Sequence, residues 1–169
     1  KVFQIGSSFM ENKQVDSIKL ETQFLHCLHE LLHHNSRNIW IIDLMAESNY
    51  LDSENCHKAT FLEKPNELKK RINETLLILE QLGIDIKSKT PRLKEKTALG
   101  FLSLGDMKND SKWGQLKDIT ETQRTTREII TQQNKEYGES RSSGSYDDVR
   151  REDLKDMVLA NIILNTKPK

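Results

Sequence analysis

The first candidates for chemistry are two carboxylates and a lysine at nuclease spacing. Asp52 lies upstream of Glu67-Leu68-Lys69, which has the letters of a PD-(D/E)xK site, where two carboxylates hold magnesium and the lysine assists the attacking water. That geometry needs adjacent strands, and residues 67–69 fall in a strongly helical stretch, so the letters do not make a site. His26, His29 and His33 share one side of an expected helix, and Cys56-His57 could approach it with enough nitrogen and sulfur for zinc. The histidines lie opposite that helix's Leu/Phe stripe and are flanked by Gln23 and Glu30, the pattern of a solvated face. His33-His34-Asn35 matches an HNH nuclease only in letters. Glycine-rich phosphate loops and local Ser/His triad signatures are absent. No cofactor is expected in this segment.

What remains is cationic. Arg150, Arg151 and Lys155 cluster near one helix start, Arg141 lies in the turn before it, and Arg124 and Arg127 begin the preceding helix. Arginine can make paired bonds to guanine or phosphate, while Ser142, Ser143 and the amides at a helix start suit phosphate oxygens. Asp147, Arg151 and Lys155 are spaced four apart on one face. The same spacing also makes Asp147 and Arg151 an ordinary i, i+4 ion pair on a solvated helix, and three-helix modules bind proteins as well as DNA. Duplex DNA and a protein partner both stay open at this point.

Apolar periodicity supplies the elements that must position these residues. Residues 15–34 place Ile18, Phe24, Leu25, Leu28, Leu31 and Leu32 at helical spacing, and residues 39–50 are dense enough for a buried helix, the favoured reading, or a short strand followed by a turn. Pro65 suits the first turn of a helix running through Leu68, Ile72, Leu76, Leu77 and Leu79 to a stop at Gly83. Thr90 reads as an N-cap with Pro91 behind it, followed by Leu93, Thr97, Phe101 and Leu104 before Gly105. A second helix from about residue 123 buries Ile129, Ile130 and Tyr137 and stops at Gly138. A third is signed by a capping-box-like Ser145/Asp148 pair and a stripe of Tyr146, Val149, Leu154, Met157 and Val158; Asn161 closes it. Residues 162–164 then read as a strand entering a hairpin. Three helices and a strand in that order predict a winged helix-turn-helix, whose third helix enters the major groove by its amino-terminal part.

Charge agrees with that placement. Net charge is zero, but residues 1–88 carry 10 Lys/Arg against 13 Asp/Glu, and residues 89–169 carry 16 against 13. Two cysteines outside any Cys-x-x-Cys pair give no disulfide scaffold or zinc ribbon. No apolar run approaches a membrane span, and a signal-peptide pattern is lacking, so a cytoplasmic setting without membrane contact is expected. The chain begins Lys1-Val2-Phe3-Gln4 and stops after Asn165-Thr166-Lys167-Pro168-Lys169, which is read as part of a larger protein.

The run ILEQLGIDIKSKTPRLKEKTALGFLSLGDM from Ile78, followed by TTREIITQQNKEYGESRSSGSYDDVRREDLKDMVLANII, resembles the helical winged-helix region of PstI/BsuBI-like type II restriction endonucleases and related restriction-modification proteins. Leu82-Gly83, Ala98-Leu99, Trp113, Ile129-Ile130, Tyr137-Gly138 and Arg150-Arg151 carry the resemblance, over about half the chain. Family proteins have a threonine- and asparagine-rich lead into the last helix where this chain has residues 142–148, SSGSYDD. The resemblance implies site-specific DNA recognition, with catalysis, and magnesium for a nuclease, elsewhere in the larger protein. Lys1-Val2-Phe3-Gln4-Ile5-Gly6 is similar to the Gln-x-Gly-Asn segment near the carboxyl terminus of cytosine-5 DNA methyltransferases, with Ser7 where that family has Asn.

The reading is a mainly α protein: a helical part over 1–88 and a winged-helix-like module of three helices and a short β-hairpin over 89–169. Its expected partner is double-stranded DNA, with a homodimer as a candidate assembly. Alternatives are a methyltransferase tail and an assembly module that uses the leucine-rich helices.

Overall fold

The computed structural model describes residues 2–5, 49–55, 59–113 and 123–166. The helix expected at 15–34, most of the segment at 39–50, the histidine cluster, Cys27 and Cys56-His57 lie outside the described residues.

The described chain is mainly helical. Helix α1 (Ala59–Leu62) is a single turn, and α2 (Asn66–Gln81) follows Pro65, whose extended ψ of 148° makes it the residue before the helix rather than within it. Leu68, Ile72, Leu76 and Leu79 line the inner face of α2, which ends before a left-handed Gly83. Helix α3 (Pro91–Leu104) starts as the sequence predicts, with Thr90 Oγ1 accepting from the Leu93 amide. It also stops where expected, at Leu104 before Gly105; Gly105 keeps a negative φ, and Asp106 takes the left-handed conformation. A short strand β2 (Gln123–Thr125) runs directly into α4 (Thr126–Tyr137). There Thr125 and Glu128 form a reciprocal capping box, and the left-handed Gly138 closes the other end.

The expected third helix is broken. A 3₁₀ turn (Ser143–Ser145) leads into α5 (Tyr146–Asp148), a π turn (Val149–Asp153) and, after Leu154, α6 (Lys155–Leu159). The Leu154 amide bonds to the Val149 carbonyl, five residues back. Asp153 and Leu154, where the wider turn ends, are both buried. They press on α3 at Gly100, where an added Cβ would stand 3.1 Å from Leu154 Cδ2 and 3.3 Å from Asp153 Cβ. Two expectations fail in this region. Ser145 makes no side-chain cap, its hydroxyl lying instead 3.2 Å from Ser142 Oγ, and Tyr146 is 55% exposed rather than part of the buried stripe.

Strand β3 (Ile163–Thr166) follows a left-handed Asn161. No hairpin partner for it occurs among the described residues. It pairs instead with β1 (Val2–Ile5), the segment that resembles a methyltransferase tail. The sheet is antiparallel in the order β2-β1-β3, with Phe3 opposite Arg124 on one side and Asn165 on the other.

A single hydrophobic cluster runs from Leu51 to Ile163 and includes residues on both sides of position 88. Leu51 is held by a two-way amide exchange with buried Asn73, at 2.8 and 2.9 Å. Charges are buried beside this cluster. Lys64 Nζ lies 3.2 Å from Glu95 Oε1 and 2.9 Å from Glu139 Oε1, and also donates to the Tyr137 carbonyl. Arg92 bridges the same two carboxylates. Two cations and two anions thus tie the loop before α2 to the start of α3 and the end of α4. Removing one member of such a set leaves a buried charge uncompensated. Lys64→Met is expected to cost roughly 3–5 kcal/mol, read as a lower denaturation midpoint in urea; an unchanged midpoint would refute the network's structural weight.

Candidate nucleic-acid interface

Helix α4, the turn at 138–142 and the segment 143–159 form two helical elements joined by a tight bend. The bend is pinned by side chains. Asn134 accepts from the Arg141 amide at 2.9 Å and donates to its carbonyl at 2.8 Å. The Arg141 guanidinium is sealed into an ion pair with Asp153, whose side chain has no exposure, and also donates to Gln133 Oε1 at 2.9 Å. Buried Gln133 and Asp153 face each other at 3.5 Å. One arginine therefore locks α4, the bend and the π turn together.

This geometry separates the sequence-predicted residues into two groups. Arg141 and Arg124 are engaged inside the structure, Arg141 by Asp153 and Arg124 by Asp106. Arg127, on the first turn of α4, and Arg151 and Lys155, beyond the bend, are exposed and form no ion pair among the described residues. Arg150 is half-buried and donates to Asp147 Oδ1 at 2.8 Å. The pair formed is Asp147–Arg150, at i,i+3, rather than the Asp147–Arg151 pair at i,i+4. Ser142 and Ser143 are exposed in the bend. Glu152 is drawn to Lys96 on α3 at 2.5 Å, which leaves the outward face to Asp147, Arg150 and Arg151.

Asp153, Gln133 and the Lys64 network are structural supports that sequence alone did not reveal. For Asp153 a signal existed: Val149, Asp153 and Met157 are spaced by four, so a carboxylate sits on an apolar stripe. Such a residue needs a buried partner, and Arg141 is the one supplied. The Lys64 network has no comparable signal, since its members are far apart in sequence.

Burial pushes the Asp153 carboxyl up to about 6, overriding the pull of Arg141 and Gln133. Glu139 is also pushed up by burial, but Arg92 and Lys64 outweigh this and hold it below the ordinary glutamate range. In Glu128, hydrogen bonds from the backbone and hydroxyl of Thr125 lower the carboxyl pKa.

No group of three His, Cys, Asp or Glu side chains among the described residues could hold a metal ion. Glu67 and Lys69 lie on α2, away from any strand. Nor is any helix among the described residues long and apolar enough to cross a membrane.

These shifts predict the pH dependence of stability. The folded-state pKa of Asp153 lies above its unfolded value, so its contribution grows as pH falls from about 7 through 6 and is complete below about 4, worth on the order of 2–3 kcal/mol. Glu139 has the opposite sign, and its contribution is lost as pH falls through its depressed pKa, below about 4.5. Thermal unfolding followed by circular dichroism should show maximal stability near pH 5. Asp153→Asn should flatten the limb between about pH 7 and 5; a variant that keeps the wild-type slope would contradict this assignment.

Residues 69–169, more than half of the chain, match a family model described as the BsuBI/PstI restriction endonuclease HTH domain. No curated protein and no solved structure matches the chain.

Proposed function

The chain belongs to the BsuBI/PstI restriction endonuclease HTH-domain family, and from that premise we propose that residues 126–159 read duplex DNA on behalf of a site-specific restriction endonuclease. The family itself implies DNA binding by a restriction protein. The carrying observation is the division of cations across the bend: Arg141 is spent on the buried Asp153, while Arg150, Arg151 and Lys155 are left on the outer side of the element that follows.

In this reading the segment 143–159 enters the major groove by its amino-terminal turns. Arg150, steadied by Asp147, and Arg151 address base edges, since a guanidinium can bond guanine O6 and N7 together. Lys155 and Arg127 neutralise phosphates on either side, and the Ser142 and Ser143 hydroxyls add neutral phosphate contacts. Arg124 and Arg141 act indirectly, holding β2 and the bend in place. Fixing two interior arginines with carboxylates keeps the outer ones at a defined spacing, and a groove reader needs that spacing more than it needs total charge. Zero net charge is compatible with this, because a recognition surface depends on local charge. Cleavage, with its magnesium, is assigned to other parts of the restriction protein.

Mobility-shift titration on duplex DNA tests the reading. Wild-type binding should weaken steeply as salt rises, because each neutralised phosphate releases counterions. Arg150→Ala/Arg151→Ala should lose at least about tenfold in affinity, the equivalent of about 1.4 kcal/mol, while keeping its circular dichroism spectrum. Lys155→Ala should reduce the salt slope by about one. Undetectable or salt-insensitive binding by the wild type, or equal affinity of wild type and double variant, would defeat the proposal.

A further inference from the structure

The sheet is completed by a strand from the far end of the chain. β2 leads directly into α4, and β3 comes directly out of the last helical segment, yet these two strands do not pair with each other. Between them lies Val2–Ile5, antiparallel to both. In a winged helix the strand after the third helix turns straight back as a hairpin, and the returning strand lies between it and the strand preceding the second helix. Val2–Ile5 occupies that central position, with Val2 opposite Thr166 and Ile5 opposite Ile163.

We propose that Val2–Ile5 is the closing strand of the DNA-reading module, taking the central position between β2 and β3 and fixing the two helices that flank the bend. Its two neighbours are the roots of those helices. Thr125, paired with Val2, is also the N-cap of α4 through its capping box with Glu128. Ile163, paired with Ile5, is fully buried and follows the left-handed Asn161 turn in which the Ile162 amide bonds back to the Met157 carbonyl at 2.9 Å. One four-residue strand therefore bonds to the entry of one helix and to the exit of the other. Removing it would leave β2 and β3 without their ladder partner, because a central strand is hydrogen-bonded on both sides. Residues 2–5 thereby become structurally part of the module rather than an appendage to it. The effect on DNA rests on the function proposed above, whereas the strand's placement does not, so the two are tested separately.

Placement is tested by cross-linking in the full chain with Cys27→Ser and Cys56→Ser. Directly opposed residues of an antiparallel pair have Cα atoms about 4.5–5.5 Å apart, within the range a disulfide can bridge. Phe3→Cys combined with Asn165→Cys should oxidise to a species that runs as a monomer on a non-reducing gel. Failure to cross-link, or a cross-linked dimer showing that the strand comes from a second copy, overturns the assignment. Coupling is tested with Gln4→Pro, which removes a backbone donor from the middle of the central strand. It should weaken duplex binding at least about tenfold, the equivalent of about 1.4 kcal/mol, while Gln4→Thr and the oxidised cross-linked protein bind like the wild type. Equal affinity of Gln4→Pro and wild type overturns the coupling. If the wild type binds no duplex, the DNA reading falls and the cross-link still decides the strand; if Gln4→Pro does not fold, the affinity of the oxidised form decides the coupling, and loss of binding on oxidation overturns it.

Discussion

The outward face of the last helical segment is set by one buried carboxylate. Asp153 has no exposed side-chain surface and would be costly without a partner. Arg141 supplies that partner from the bend, and Gln133 adds a contact from α4. Asp153 and Leu154 are both buried against Gly100 where a π turn ends, and Arg150 and Arg151 lie within that turn. Arg150 donates to Asp147, and Arg151 is exposed. The outer side of this element is thus backed by a buried ion pair on its inner side.

The same use of charge recurs at the other end of the bundle. Lys64, Arg92, Glu95 and Glu139 bring opposite charges together where three elements meet. Buried pairs of this kind are weak sources of net stability, but they tolerate only arrangements in which every member has a partner. In this molecule they specify where α3 and α4 sit relative to the loop before α2. A modest core of Leu and Ile supplies the cohesion, and the buried ions supply the register. Outside these pairings, Arg127, Arg151 and Lys155 are exposed and form no ion pair among the described residues.

Much of the helical frame could be read from single residues with local effects. Thr90 with Pro91, the left-handed Gly83, Gly138 and Asn161, and the stripe from Leu68 to Leu79 act within a few residues of themselves, so their outcome did not depend on the rest of the chain. Tyr146 and Ser145 were misread because both expectations assumed a uniform α-helix from residue 145, and the 3₁₀ and π turns change the angular position of each residue. Arg141 and Arg124 were read as surface cations because their carboxylate partners lie 12 and 18 residues away; the place of Asp153 on an apolar stripe marks it as needing a partner but does not say which cation supplies it.

By itself the sequence determined the buried stripe of α2, the start and end of α3, the end of α4 and the concentration of basic residues in the carboxy-terminal half, because capping, periodicity and charge are properties of short stretches. Family membership was legible for the same reason, in the blocks from Leu82-Gly83 to Arg150-Arg151. Only the tertiary structure decided which of those cations are free, since burial and ion pairing depend on residues brought together from distant positions. It also decided that β3 is paired by Val2–Ile5 rather than by a neighbouring hairpin strand. A strand's hydrogen bonds are indifferent to sequence distance, so nothing in residues 2–5 or 163–166 taken separately could announce that they meet.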